Sequence, residues 1–433
     1  MSALLSVLAR LATMAVSLVC GILAARLVLS EAGVEEYALM TMLIALPSML
    51  TFSDLGAGAV LVNTVASTTD ARQDELLLGQ ARSVARVIVG FALTMGILST
   101  ILLVSGTWDR ILGSASVVPH AAWAAWVCSM VYCVTTSLGL WQRILLGMGK
   151  NHLIVLLQGI VSPLSLLAVW LLITADLGMF GPFLALGTFV AMLCVAVSGT
   201  VVADRHTAPL LRRVARELLL PRRYPGARVM HVGWPMLVQL LTNPLSVVLP
   251  RYILAQVVTP VALAQYALAG QVFFALQALI ATAGVSLWPM YSKSRAEGSL
   301  HRGPYLMSLG FGLGAAVATA VVVTIGPWFF TLVSEDQLEV PTDLIVAFGA
   351  MTVAQATVYP LGMFLMDPAG IRFQVLPAIG MTISTVIITS LTAPTLGVRA
   401  PLLAYGASVV VFQIIPYLVY IRRNRGRLHG KAL

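Results

Sequence analysis

The sequence predicts an all-α integral membrane protein, with twelve transmembrane helices in two six-helix bundles related by a pseudo-two-fold axis along the membrane normal. Three observations carry that expectation. Hydrophobic residues make up 59% of the 433-residue chain and charged residues 10%, against about 25% charged in soluble domains. The apolar residues fall in long runs without the period-two alternation of a barrel strand, so helices of ~20 residues are the spanning solution. Finally, Leu177–Gly187, LGMFGPFLALG, returns 219 positions later as Leu396–Gly406, LGVRAPLLAYG, identical at six of eleven positions. The identities include Gly178/Gly397, Pro182/Pro401 and Gly187/Gly406, so each copy reads as a hairpin between two apolar helices, with Pro in the first turn of the second. A second echo sets Arg26, Leu29 and Tyr37-Ala38-Leu39 against Arg251, Leu254 and Tyr266-Ala267-Leu268. One half is written twice, and such a repeat decides architecture before local detail does.

In order, the first half gives spans near 4–28, 37–63, 84–106, 119–141, 152–174 and 180–202. The second gives 231–255, 264–290, 305–333, 341–366, 373–393 and 399–421. The expected domains are an N-terminal bundle at 1–203, a basic cytoplasmic linker at 204–229, a C-terminal bundle at 230–421 and a basic tail at 422–433. An even number of spans per half makes the repeats parallel. The first run is not a secretory signal, because Arg10 is the only basic residue before its apolar core and the seventh span mirrors it.

Basic residues orient the chain. Alternating the loops places 22 of the 26 Lys and Arg on the side holding both termini and leaves Arg26, Arg110, Arg251 and Arg399 opposite, which makes both ends cytoplasmic. The net charge of +9 is thus mostly an orientation signal, and nucleic acid is not an expected partner.

Span one carries Ser6, Arg10, Thr13, Ser17 and Gly21 at steps of three and four, a polar face turned away from lipid. Span two contains Pro47, Thr51, Asp54 and Gly58, with Gly56 and Gly58 permitting close helix approach. Asp54 is the one acid deep in a span. Two readings of it stand: a carboxylate that exchanges a proton, and a structural hydrogen bond at the glycine packing site. Trp141–His152, WQRILLGMGKNH, marks a tight inner turn. The connection 203–230 holds seven arginines and an apolar face of Leu211, Val214 and Leu218, which reads as a surface helix held by anionic headgroups or as a regulatory or partner site. Span seven repeats the polar pattern of span one with Gln239, Asn243, Ser246 and Pro250. Gln265, Gln271 and Gln277 follow in span eight, then Gln355, Gln374 and Gln413. Amides in hydrocarbon either bond between helices or face a wet path. The loop Ser334–Asp343 reads as a solvated external face, and the tail Arg422–Lys431 as disordered or headgroup-bound.

Enzymatic signals are missing. His120, His152, His206, His231, His301 and His429 are scattered, no paired inward carboxylates occur, and Cys20, Cys128, Cys133 and Cys194 lack metal-ligand spacing. No metal or cofactor is expected.

Ala25–Tyr37, ARLVLSEAGVEEY, followed by DLGAGAV from Asp54, the LGMGKNH turn and the LGMFGPFLALG hairpin, resembles the Wzx-type polysaccharide flippases of the MOP superfamily over essentially the whole chain. After Arg26 the sequence LVLSEAGVEEY replaces the usual Leu-Gly-Pro-Glu-x-Tyr-Gly turn. The resemblance implies two bundles forming a V around a central cavity lined largely by helices one, two, seven and eight. It also implies an activity, the movement of a polyprenyl-diphosphate-linked oligosaccharide from the cytoplasmic to the outer leaflet by alternating access, for cell-surface polysaccharide synthesis. The setting would be the bacterial cytoplasmic (inner) membrane, with membrane lipids and the polysaccharide polymerase machinery as partners. Substrate contacts would fall to Arg10, Ser17 and Arg26, to Gln239, Asn243 and Arg251, and to Gln271, with Asp54 coupling a proton or sodium ion. Arg10 has a second reading, as a side chain snorkelling to the inner headgroups. The alternatives are a MATE-like cation-coupled exporter, which would carry carboxylates in both bundles, and a membrane-embedded polymerase or acyltransferase.

Overall fold

The computed structural model describes residues 2–49, 58–67, 74–218, 220, 222–227, 242, 245–285, 287, 290–291 and 303–428. Among them there is no strand, and nine helical stretches are long and apolar enough to cross a membrane. One, Ala369–Arg423, has 55 residues and contains both expected spans eleven and twelve. Spans two, seven and eight fall partly outside the described residues. The chain is a multi-pass membrane protein that divides into two compact units, Met1–Pro244 and Leu245–Leu433.

In the first unit, helix α1 (Ser2–Glu31) ends where the amides of Ala32 and Gly33 both reach back to the carbonyl of Val28. That reversal needs a left-handed residue, and Gly33 supplies it at φ 107°. Helices α2 (Val34–Met49) and α3 (Gly58–Ser67) lie on either side of the segment holding Asp54. Helix α4 (Glu75–Val104) opens on Asp74, whose carboxylate accepts from the amides of Leu76 and Leu77 at 2.9 and 3.0 Å, with Glu75 favourably placed in the first turn. Its 30 residues make a rod of about 45 Å, longer than the ~30 Å hydrocarbon layer.

A short helix α5 (Thr107–Leu112) leads to α6 (Ala121–Ser137). The expected fourth span reached residue 141. The helix breaks at a turn, Leu138–Gly139, that starts helix α7 (Leu140–Gly147), and the apolar stretch long enough to cross runs through both, Ala121–Gly147. Gly149, at φ 71°, turns the chain into α8 (Asn151–Gly159) and then α9 (Val161–Phe180). Helix α10 (Leu184–Thr207) packs against α9, α6, α2 and α7. Trp141, only 2% exposed, lies flat against Gly199 of α10, where no Cβ would fit. Around it Leu61, Leu77, Val84, Ile144, Ile154 and Val195 form an apolar core at one end of the unit.

The connection after α10 differs from its expected form. Helix α11 (Leu210–Glu217) does form, but Leu210 and Val214 are buried against α4 and join that same core. Its apolar face therefore meets protein, where the headgroup reading had it facing the membrane. The reason lies in α4: its first turns carry Leu77, Leu78 and Ala81 as an apolar landing strip.

In the second unit, α12 (Leu249–Ala255) precedes α13 (Pro260–Val285), α14 (Tyr305–Ser334) and α15 (Thr342–Phe364). Helix α15 is the most deeply enclosed, packed on α13, α14 and α17 (Ala400–Val409). Small residues allow it: Gly349 has no room for a Cβ against Thr319. Phe348 stacks on Phe273 at 5.3 Å between ring centres, with Tyr266 at 5.0 Å. On α14, Leu309, Leu313, Val317, Val321, Ile325 and Trp328 are exposed at helical spacing, a lipid-facing stripe. Helix α16 (Pro368–Leu396) pairs with α17, which continues through a π turn at Val410–Ile414 into α18 (Ile415–Arg423). Of the tail expected to be disordered or headgroup-bound, the described part is ordered, helical from Arg425 to Leu428 with Leu428 buried; the rest lies outside the described residues.

The repeat is visible inside each unit. Both hairpins carry a three-residue 3-10 turn, Gly181–Phe183 and Gly397–Arg399. Both are also clasped by a hydroxyl pair: Ser165 with Thr188 at 2.6 Å, and Ser384 with Ser408 at 2.6 Å.

Candidate functional site

On the polar face of α1, Arg10 has a helical backbone and a side chain that lies outside the described residues. Two turns on, Ser17 is half-buried and its hydroxyl accepts from Ser162 Oγ of α9 at 2.9 Å. Thr13 crowds Gly159 at the end of α8 so closely that no Cβ could be added there. At this level the polar face of α1 is turned toward α8 and α9, and a hydroxyl pair satisfies groups that hydrocarbon cannot. Gly159 and Ser162 were missed by sequence reasoning. Their small size three residues apart in an apolar run was the available signal.

Arg26 is exposed on α1, between the buried Ala25 and Val28. In the second unit, Arg251 of α12 is half-buried within electrostatic reach of the phenols of Tyr252 and Tyr266. Gln271 of α13 is half-buried. Asp54, Gln239 and Asn243 lie outside the described residues. Of the expected contacts, then, the structure joins Ser17 to Ser162 and places Arg26, Arg251 and Gln271 on their helices.

Four other amides bond between elements of the second unit. Gln265 Nε2 donates to the carbonyl of Glu339 at 2.7 Å, and Gln277 Nε2 to Thr352 Oγ1 at 3.2 Å. Gln355 Oε1 accepts from Tyr405 at 2.7 Å. Gln374 Nε2 reaches the carbonyl of Leu365 at 3.1 Å, covering the C-terminal end of α15. The described acids of this unit, Glu335, Asp336, Glu339, Asp343 and Asp367, all sit in loops or at helix ends. Asp343 pairs with Arg399 at 2.8 Å, the first exposed and the second half-buried.

The described ends of the first unit hold a basic cluster. Arg82 and Arg86 of α4 grip the end of α11 and the segment after it: Arg82 pairs with Glu217 and lies 5.4 Å from the Tyr224 ring centre. Arg86 donates to the carbonyls of Leu218 and Glu217 at 3.1 Å each and of Tyr224 at 2.8 Å. Lys150 Nζ stands 3.0 Å from the His206 ring nitrogens. Among the described residues, no group of three His, Cys, Asp or Glu could hold a metal ion.

This fold is that of MOP-superfamily transporters. The chain is similar over 97% of its length to 87% of the lipid II flippase MurJ in an inward closed conformation, with a TM-score of 0.70 and 13% identity. It is similar over 99% to all of an inward-facing multidrug resistance MATE family transporter of the MOP superfamily, at TM-score 0.63 and 16% identity. A MOP superfamily transporter from Pyrococcus furiosus matches 97% of the chain over 96% of its own, at TM-score 0.60 and 16% identity. In sequence, residues 2–295 match the family described as polysaccharide biosynthesis protein, and the chain belongs to that family. No curated protein matches it in sequence.

Proposed function

We propose that this protein is a flippase carrying a polyprenyl-diphosphate-linked oligosaccharide from the cytoplasmic to the outer leaflet of the bacterial inner membrane by alternating access. The single observation that carries the reading is membership of the polysaccharide biosynthesis protein family on a chain whose fold is that of MOP-type transporters. The work is physical, because a hydrated, anionic sugar-diphosphate headgroup needs a polar path while its lipid tail stays in the bilayer. It requires no covalent step, so the protein acts as a transporter and not as an enzyme, without a cofactor.

Twelve spans, both termini cytoplasmic, and bundles at 1–203 and 230–421 joined by 204–229 complete the proposal, supported by the 22-to-4 partition of basic residues. The absence of mid-helix acids among the described residues of the second unit favours this reading over a cation-coupled exporter. In the proposed site, Arg10 binds the diphosphate with its guanidinium fork, aided by Ser17, Gln239, Asn243 and Gln271. Arg26 and Arg251 receive the headgroup at the outer ends, and Asp54 exchanges the coupling ion, a proton or sodium.

Loss of the gene should leave lipid-linked oligosaccharide on the cytoplasmic leaflet. Altered drug susceptibility with normal surface glycan would point to the exporter instead. In proteoliposomes, Arg10→Lys should flip poorly, because an ammonium cannot make the bidentate phosphate contact. If Arg10→Lys and Arg10→Ala both flip normally, Arg10 is not in the site. Asp54→Asn should abolish any dependence of transport on external pH; transport by Asp54→Asn that matches the wild type at every pH removes the coupling role.

A further inference from the structure

After α10 the chain presents Arg205, Arg212, Arg213, Arg216, Arg222 and Arg223, all exposed. The acids beside them are engaged: Asp204 with Arg212 at 2.9 Å, Glu75 with Arg213 at 3.5 Å, and Glu217 with Arg82. Arg205, Arg216, Arg222 and Arg223 make no ion pair with any described residue.

A free amphipathic helix would settle in the membrane interface with its apolar face down. Here that face is packed on protein: Leu210 and Val214 are 2% and 3% exposed, and Leu211 and Leu218 are half-buried against the same core. The segment is also pinned along its length. Arg86 binds three of its carbonyls, Ser83 Oγ donates to the carbonyl of Ala227 at 2.7 Å, and the Ala227 amide reaches Gly79 at 3.2 Å. The arginines are therefore held as a fixed, outward array at the end of a membrane-spanning helix. Phosphate groups match such an array, because each guanidinium can bind one bidentately.

We propose that residues 205–223 form a docking surface for the anionic phospholipid headgroups of the leaflet at the C-terminal end of α10, acting by the charge of the arginines, with the apolar face of α11 kept against α4. This goes beyond the flippase reading and uses no transport step, so its test stands or falls independently.

The test uses full-length protein in neutral detergent, titrated with dihexanoyl-phosphatidylglycerol, dihexanoyl-phosphatidylcholine or inorganic pyrophosphate while thermal unfolding is followed. Phosphatidylglycerol should raise the Tm and phosphatidylcholine should not. Neutralising exposed arginines costs about five-fold in affinity each, so Arg216→Gln/Arg222→Gln/Arg223→Gln should weaken phosphatidylglycerol binding by about 100-fold. Arg422→Gln/Arg423→Gln, in the other unit, should bind as the wild type does. Wild-type affinity in the triple variant, or equal stabilisation by phosphatidylcholine, overturns the proposal. Stabilisation by pyrophosphate that matches phosphatidylglycerol and is lost in the triple variant also overturns it, since the patch would then be a phosphate site without a lipid requirement.

Discussion

Gly199 shows how one missing side chain can set a helix interface in this protein. Trp141 occupies the space that a Cβ at 199 would fill, so the indole packs directly on the α10 backbone. Gly199→Val should overpack this junction and cost about 2–3 kcal/mol, read as a lower Tm in detergent with Trp fluorescence reporting the displaced indole. An unchanged Tm would mean that Trp141 has another position available. The Ser162–Ser17 hydrogen bond is weaker. Hydrogen bonds between membrane helices are worth about 0.6 kcal/mol on average, and a double-mutant cycle of Ser17→Ala and Ser162→Ala should return a coupling of that order. Such a small value would also fit a second duty for Ser17 toward substrate, which flipping assays on the single variants would detect.

At the scale of elements, the α4 clamp decides what the inter-bundle connection can do. Helix α11 is too short to hold itself, since isolated helices under ~12 residues are marginal in water. Its C-terminal end presents carbonyls, and Arg86 donates to those of Leu218 and Glu217, the second of which also accepts from the Leu220 amide at 3.3 Å. A hydrogen bond to a charged group contributes about 1.5–3 kcal/mol, so Arg86→Ala should release the strap locally while leaving the membrane helices intact. Limited trypsin digestion checks this: cleavage after Arg222 and Arg223 should rise at least several-fold in Arg86→Ala, with thermal unfolding of the bulk protein little changed. Equal cleavage in variant and wild type would show that the apolar contacts of Leu210 and Val214 hold the strap without the clamp.

For the whole molecule, topology is the proposal with the widest consequences. Reporter fusions at Gly181 and Asp336 should report the outside, and fusions at Pro221 and Gly430 the cytoplasm. A cytoplasmic signal at Asp336 would break the span assignment of the second half. A consistent set would fix the leaflet that the arginine array of the strap faces.

Membrane character, the helical class, the long apolar spans and the duplicated hairpin were legible in the sequence. Hydrocarbon leaves a backbone few options, so composition and run length alone determine that much. The repeat was equally legible because its Gly and Pro positions fix turns locally, and the structure places a 3-10 turn at each copy. Which side chains meet was not written in the runs. Gln265, Gln277, Gln355 and Gln374 looked alike as amides in apolar helices, and each bonds within the second unit. The spacing of Leu211, Val214 and Leu218 marks the apolar face of α11 without naming its neighbour. Periodicity reports that a helix has an apolar side, but the surface that covers it comes from another part of the chain. Here the first turns of α4 are about 130 residues away in sequence, and only packing the helices together brings Leu77 and Ala81 under Val214.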